Sequence, residues 1–393
     1  MKKVLLIAVS VLLASTVLLA SSCSETTADE IRIGFIGPMT GDYANYGLLQ
    51  SQAVAMAIDE RNAQNPIEGV SFRLIIEDSE GDVARGQAAI EKLASVDKIT
   101  GLIGGVFSGV TLAITPRTQA EKILTISGSA TAPGVTDIGD YIFRTVATDS
   151  LQGIVSAQYA YKEMGVRKVA VLFTRNDYSQ GLAEIFQEEF TKLGGEIVAL
   201  ESGMQGDKDF RTQLTTIRAA QPDVLFLPNY VAEIAQILKQ ADELGIDAQI
   251  LASDGFNNPQ IFDLAGELSN GVIFSDSEMQ TSDDFRKAYN SRFGDDPDGF
   301  SFNAYDGANI MMDAIVNAWE QASDADKAAL KLDRKMIREY VANVKDYPGV
   351  SGAISFFPNG DVIRNIGINT VENLEYKEVG VYSIKGSELV QIR

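Results

Sequence analysis

Ile31-Arg32-Ile33-Gly34-Phe35-Ile36-Gly37, near the start of the chain, and Val169-Ala170-Val171-Leu172-Phe173, in its middle, are the two runs that decide the fold. Each is short, rich in branched and aromatic residues and almost continuously apolar, as a strand buried on both faces must be. Each also opens an alternating series. After the first run, Leu49, Ala53, Met56 and Ala57 mark one helix face, and strand Phe72–Ile76 follows. A helix over 84–95, strand Gly101–Val106, helix Leu112–Glu121, strand Ile123–Ser127 and an extended piece Tyr141–Thr145 complete the first series. The second series starts with helix Leu151–Met164 before its strand. It continues through helix Leu182–Leu193, strand Ile197–Leu200, helix Phe210–Ala219, strand Val224–Leu227, helix Ile234–Leu244, strand Ile250–Ala252 and strand Val272–Phe274. Strands alternating with amphipathic helices predict parallel sheets covered on both faces, so the fold class is α/β. Gly81-Asp82 and Gly206-Asp207 occupy matching places in the two series, a weak repeat of whole units rather than a short-period solenoid. Residues 281–345 read as mainly helical, and Ala353–Phe357, Ile366–Val371 and Val379–Ile384 as strands.

The ends of the chain add a compartment. Lys2 and Lys3 precede an uncharged apolar run from Val4 to Ala20, closed by Ala20-Ser21-Ser22 before Cys23, the layout of a secretory signal peptide over 1–22. The run is short for a spanning helix. Cys23 is the only cysteine among 393 residues, and Leu19-Ala20-Ser21-Ser22-Cys23 resembles a lipobox, with Ala20 where that motif prefers leucine. Lipidation at Cys23 is therefore expected, with the small polar segment 23–30 as a tether. The full chain carries a net charge of −21, and loss of Lys2 and Lys3 with the leader leaves −23. Such an acidic surface repels nucleic acid. The chain has no histidine, which excludes a Ser-His-Asp triad and the commonest transition-metal ligand, and no cysteine beyond residue 23, which excludes thiolate chemistry. A hydrolase would have to work through carboxylates such as Asp254. No metal or cofactor is expected, and the protein is not expected to be an enzyme.

In open parallel sheets, ligands sit beyond the carboxyl ends of the strands, where helix N-termini present free N–H groups. The loops there hold Phe107-Ser108-Gly109-Val110-Thr111 after the third strand and Ser127-Gly128-Ser129-Ala130-Thr131-Ala132-Pro133-Gly134 after the fourth. Serine, threonine and glycine at such places ordinarily cap helices and form turns. Two hydroxyl-rich loops on consecutive strands also suit a carboxylate. Tyr46, Tyr178 and Tyr230 stand in corresponding loops of the two halves, as walls of a shared cleft would. Asp254, in Ser253-Asp254-Gly255-Phe256, reads alone as a turn and opposite a hydroxyl cradle as the counter-charge for a ligand cation. Neither glycine cluster, Gly34/Gly37/Gly41 or Gly101/Gly104/Gly105/Gly109, has dinucleotide-binding spacing.

Taken together, Ile33-Gly34-Phe35-Ile36-Gly37-Pro38-Met39-Thr40-Gly41 with Tyr46-Gly47, Ser127–Pro133, Asp177-Tyr178-Ser179-Gln180-Gly181, Lys208-Asp209-Phe210 and Tyr305-Asp306-Gly307 resemble the type I periplasmic binding proteins. The likeness is to the leucine/isoleucine/valine branch serving ATP-driven importers, and it covers essentially the whole mature chain. It implies two Rossmann-like parallel-sheet lobes joined by a three-crossover hinge: 31–149 with 277–370, and 150–276 with 371–393. It implies that Ser108, Ser129 and Thr131 hold an α-carboxylate and Asp254 an α-ammonium. Tyr46, Tyr178, Tyr230 and Phe300 or Phe302 would form aromatic walls. It further implies a monomer that hands a branched-chain or other aliphatic amino acid to an ABC permease complex. A ligand-sensing subunit, or a binder of an amide, urea or an aromatic acid, would use the same clamp. Two departures stand out: Glu80 and Phe107 occupy the places of the family's disulfide, and Asp254 is shorter than the acid common in amino-acid binders.

Overall fold

The computed structural model describes residues 29–278 and 282–393. The leader 1–22 and Cys23 lie outside the described residues, as does most of the tether. Asp29 and Glu30 are not tether but the start of the first strand, paired with Val70 and Ser71.

Two separate sheets carry the chain. In the first, β1 (Asp29–Gly37), β2 (Val70–Asp78), β3 (Gly101–Gly104), β4 (Leu124–Ser127) and β5 (Ile142–Arg144) run in the order β2-β1-β3-β4-β5. All its pairings are parallel, with Phe35 facing Ile76 on one side and Ile103 on the other. Ile33, Phe35 and Ile36 are fully buried, which is why the opening run has no polar alternation. In the second sheet, β6 (Lys168–Thr174), β7 (Glu196–Gly203), β8 (Val224–Leu227), β9 (Gln249–Ala252) and β10 (Ile273–Ser277) repeat that order as β7-β6-β8-β9-β10. The internal repeat is therefore a repeat of topology. A hairpin β11 (Tyr347–Gly349) and β12 (Gly352–Ile354) stands apart. Three antiparallel strands, β13 (Ile366–Glu372), β14 (Glu375–Lys385) and β15 (Glu388–Gln391), extend the second sheet beyond β10.

The chain crosses between lobes after β5, between β10 and the helix Asp283–Phe293, and again before β13. The last crossing comes earlier than the expected 370/371. Ile366 and Ile368 point into the second lobe against Ala147, Val155, Tyr159 and Tyr382, and Ile368 pairs with Ser275. Likewise β10 ends at Ser277, whose hydroxyl accepts the Ala147 N–H at 2.8 Å. The three crossings are pinned together by one side chain. Arg364 donates to the carbonyls of Thr145 (3.2 Å), Glu278 (3.1 Å) and Ser351 (2.7 Å). Arg364 thus ties the three crossings at one point.

Both sheets share a switch point, β1/β3 in one and β6/β8 in the other, where the strand order reverses. The loops leaving these strands face each other across the interlobe crevice, where such sheets place their ligands.

Candidate functional site

A small, nearly filled cavity of about 10 Å³ lies in that crevice. The first lobe lines it with Tyr46, Val106, Phe107, Ser108, Ser129 and Phe300, and the second with Tyr178, Tyr230, Asp254 and Gly255. Among the expected site residues, Thr131 and Phe302 are missing from its walls.

Most wall residues are placed by segments that leave a strand; Phe300 instead stands in the first turn of the helix Gly299–Gln321. Tyr46 sits in the first turn of the helix Ala44–Ala63, not in a loop. The next residue must be glycine, because a Cβ on Gly47 would collide with the Pro38 carbonyl. The Tyr46 hydroxyl donates to the Gly255 carbonyl and accepts the Val231 N–H at 2.9 Å, so one side chain spans the cleft. Tyr178 likewise lies in the first turn of the helix Asp177–Lys192, and Tyr230 is the N-cap of Val231–Glu243. Other bonds close the rim: Tyr43 donates to Glu233, Asn45 to Asn258 at 2.7 Å, and Lys208 pairs with Asp42 at 2.6 Å.

On the first-lobe side, Ser108 begins the helix Ser108–Ala120, four residues before the expected start. Its Oγ accepts the Ala132 N–H at 3.2 Å, which leaves the hydroxyl proton free for a ligand. The helix N-terminus beside it carries partial positive charge. Ser129 donates to the Val106 carbonyl at 2.8 Å, with Gln50 Oε1 at 3.1 Å. Arg144, itself buried, holds the loop between them. Its guanidinium donates to the carbonyls of Ala130, Thr131 and Ala132 at 3.2, 2.9 and 2.9 Å and to Asp361 at 2.6 Å. Thr131 is thereby spoken for. Its carbonyl also accepts the Asp149 N–H at 2.9 Å, and its side chain is buried beside Asp149, away from the cavity. Of the alternatives Phe300 and Phe302, Phe300 is the one that lines the cavity. Two residues along a helix turn about 200°, so Phe300 faces the cleft while Phe302 packs with Leu49, Met56, Phe285 and Tyr289.

On the second-lobe side, Asp254 is completely buried. Tyr178 OH (2.6 Å), Gln152 Nε2 (3.1 Å) and the Gly255 N–H (3.1 Å) all donate to its Oδ1. Among the described residues no donor reaches its other oxygen, in a residue that lines the cavity. Burial pushes the Asp254 pKa well above the carboxylate range, and the nearby Asp149 and Asp276 push it further. Asp149 was not anticipated from the sequence. It opens the helix Asp149–Gln158, is fully buried, and neither carboxylate oxygen has a hydrogen-bond partner among the described residues. Burial raises its pKa to about 7, against the opposing pull of Thr131 and Arg144. Its only sequence signal was an acid just after the N-cap Thr148, which reads as ordinary capping. The site thus sets an uncharged hydroxyl cradle and a helix N-terminus opposite the buried carboxylate of Asp254, with Asp149 buried behind it. Among the described residues no group of three or more histidine, cysteine, aspartate or glutamate side chains is arranged to hold a metal ion. No described helix is long and apolar enough to cross a membrane.

Similar proteins place this architecture. The leucine-, isoleucine-, valine-, threonine- and alanine-binding protein of Pseudomonas aeruginosa is 29% identical over 350 residues, covering 88% of this chain and 90% of that protein. The structure of the branched-chain amino acid transporter substrate binding protein LivJ from Streptococcus pneumoniae, in complex with isoleucine, is 28% identical with a TM-score of 0.80. That likeness covers 92% of this chain and 100% of that one. The leucine binding protein LivK from Thermotoga maritima gives 28% identity and a TM-score of 0.79 over 89% of this chain and 98% of that one. The profile described as periplasmic binding protein matches residues 30–373. With that match over most of its length, and two sheets of one topology meeting at a cavity, the chain belongs to the periplasmic binding protein family.

Proposed function

We propose that the cleft captures an α-amino acid with an aliphatic side chain and delivers it to an ATP-driven permease. One observation carries this reading. A single cavity has hydroxyls and a helix N-terminus on one lobe, and on the other a buried carboxylate whose free oxygen has no donor. A zwitterion satisfies both sides at once. Its carboxylate takes the Ser108 hydroxyl and the amides of the first turn after Phe107. Its ammonium takes Asp254, with Asp149 behind as a second negative charge. The remaining walls, Val106 and the rings of Tyr46, Phe107, Tyr230 and Phe300, offer no charge, so they suit a leucine, isoleucine or valine side chain. The names of the similar binding proteins agree with that choice.

The chain is exported and works as a monomer tethered through Cys23, with closure of the lobes as the signal read by the permease. A thermal-shift panel of the twenty amino acids, urea and benzoate tests the ligand class, since a ligand that binds only the folded state raises its melting temperature. Leucine, isoleucine or valine should give the largest shift. A shift with benzoate and none with any amino acid overturns the reading.

A further inference from the structure

A second and larger chamber, about 400 Å³, opens in the interlobe crevice just outside the first cavity. The two share Phe107 and Tyr230 as lining residues. These rings come from opposite lobes and stack face to face, with centroids 4.0 Å apart and planes 8° from parallel. The partition between the chambers is therefore a pair of aromatic rings that meets only when the lobes meet.

Phe107 is fixed in that position. It caps the helix Ser108–Ala120 in extended conformation, which aims its side chain back toward the loop of Gly81. Gly81, at φ +75°, leaves room for the ring; a Cβ there would stand 2.9 Å from it. Tyr43 and Tyr46 meet the ring edge-on at 5.4 and 5.6 Å. The ring is held from behind, from both sides and from across the cleft, and its own exposure is 4%. The polar ends of the inner cavity, Ser108 and Asp254, are spoken for by the head group, so the ligand side chain extends among Tyr46, Phe107, Tyr230 and Phe300.

We propose that Phe107 is the specificity-determining side chain of this site, a stop that sets the length of the ligand's side chain by sealing the inner cavity from the outer chamber. The inference rests on the amino-acid reading of the inner cavity. Truncating the ring joins the two spaces and lets a longer or aromatic amino acid reach into the outer one. Removing the stack also weakens closure on every ligand, so the informative quantity is a ratio of affinities rather than either affinity alone.

Calorimetric titrations of wild type, Phe107→Ala and Phe107→Leu with L-leucine and L-phenylalanine test this. Wild type should bind leucine and discriminate against phenylalanine. Phe107→Ala should shift the ratio toward phenylalanine by roughly tenfold or more, the scale that a pocket of changed size imposes. Phe107→Leu, which keeps apolar volume with no flat face, should fall between. If wild type binds leucine and neither variant moves the ratio by more than about twofold, the stop is overturned and the amino-acid reading survives. If wild type binds no α-amino acid, both fall together.

Discussion

Replacing Asp254 by asparagine should weaken ligand binding and stabilise the empty protein, two effects of opposite sign from one atom. The Oδ1 acceptor remains for Tyr178, Gln152 and the Gly255 N–H, so the local hydrogen bonds persist. Only the charge and the free oxygen facing the cavity change. In the empty protein that carboxylate is buried beside Asp149 and Asp276, no lysine or arginine among the described residues pairs with it, and its pKa is pushed up accordingly. Burial and the two neighbouring carboxylates penalise the ionised form, and a neutral amide removes that penalty. Around neutral pH the melting temperature of the empty variant should rise by a few degrees. With a zwitterion bound, the same substitution leaves a desolvated ammonium facing an amide. Breaking such a pair costs about 3–5 kcal/mol, a loss of affinity of roughly a hundredfold to several thousandfold. Calorimetric titration with L-leucine and thermal unfolding of the empty protein, at one pH, measure both quantities. Affinity within about threefold of wild type, or a lower melting temperature for the empty variant, would refute the assignment of Asp254 to the ligand's amine.

Three further outcomes are expected. Burial holds Asp149 and Asp298 near 7 and Asp276 near 6, above their ordinary value of 3.8. The stability from these extra bound protons is complete below the ordinary value and is lost as pH rises through about 6 to 7. The empty protein should thus melt higher at pH 5 than at pH 8, and Asp149→Asn should flatten that dependence. Tyr46→Phe keeps the ring but deletes the hydroxyl that joins Gly255 and Val231 across the cleft. It should cost about 1–3 kcal/mol of ligand affinity, mostly as faster release, and small-angle scattering should show a larger radius for the empty protein. Arg144→Lys cannot reproduce the fork that reaches Asp361 and three loop carbonyls. It should lower stability by about 3–5 kcal/mol and weaken binding as well, read by chemical denaturation.

Much of this architecture was legible in the sequence because buried parallel strands are apolar on both faces and leave an unambiguous trace. Ile33–Ile36 and Val169–Leu172 are of this kind, and both sheets follow from them. The cavity walls Tyr46, Ser108, Ser129, Tyr178, Tyr230 and Asp254 were reachable because each follows a strand, and strand ends are where such sheets gather side chains; Phe300, on a helix preceded by a helix, was reachable only through the family resemblance. What escaped has physical reasons. The helix at Ser108 begins with Ser-Gly-Val-Thr, whose small polar residues carry no apolar period, so the visible pattern starts only at Leu112. Asp149 looks like a capping acid, and its isolation from every donor exists only once Thr131 and Arg144 have folded around it. Thr131 lies in the expected loop, but the Arg144 network turns it inward, and no local pattern encodes that distant guanidinium. Phe300 and Phe302 differ only in helical phase. The strand Ile366–Glu372 reads as a strand from its own residues, but which sheet receives it depends on pairing with Ile273–Ser277.

The central claim is that the cleft recognises both ends of a zwitterion. Calorimetric titration of the mature protein with L-leucine, and with 4-methylpentanoate, which lacks only the amine, tests it most directly. Tight binding of leucine with at least a hundredfold weaker binding of the acid, about the cost of leaving a buried carboxylate unpaired, is the predicted result. Equal binding of the two, or binding of the acid alone, would contradict it.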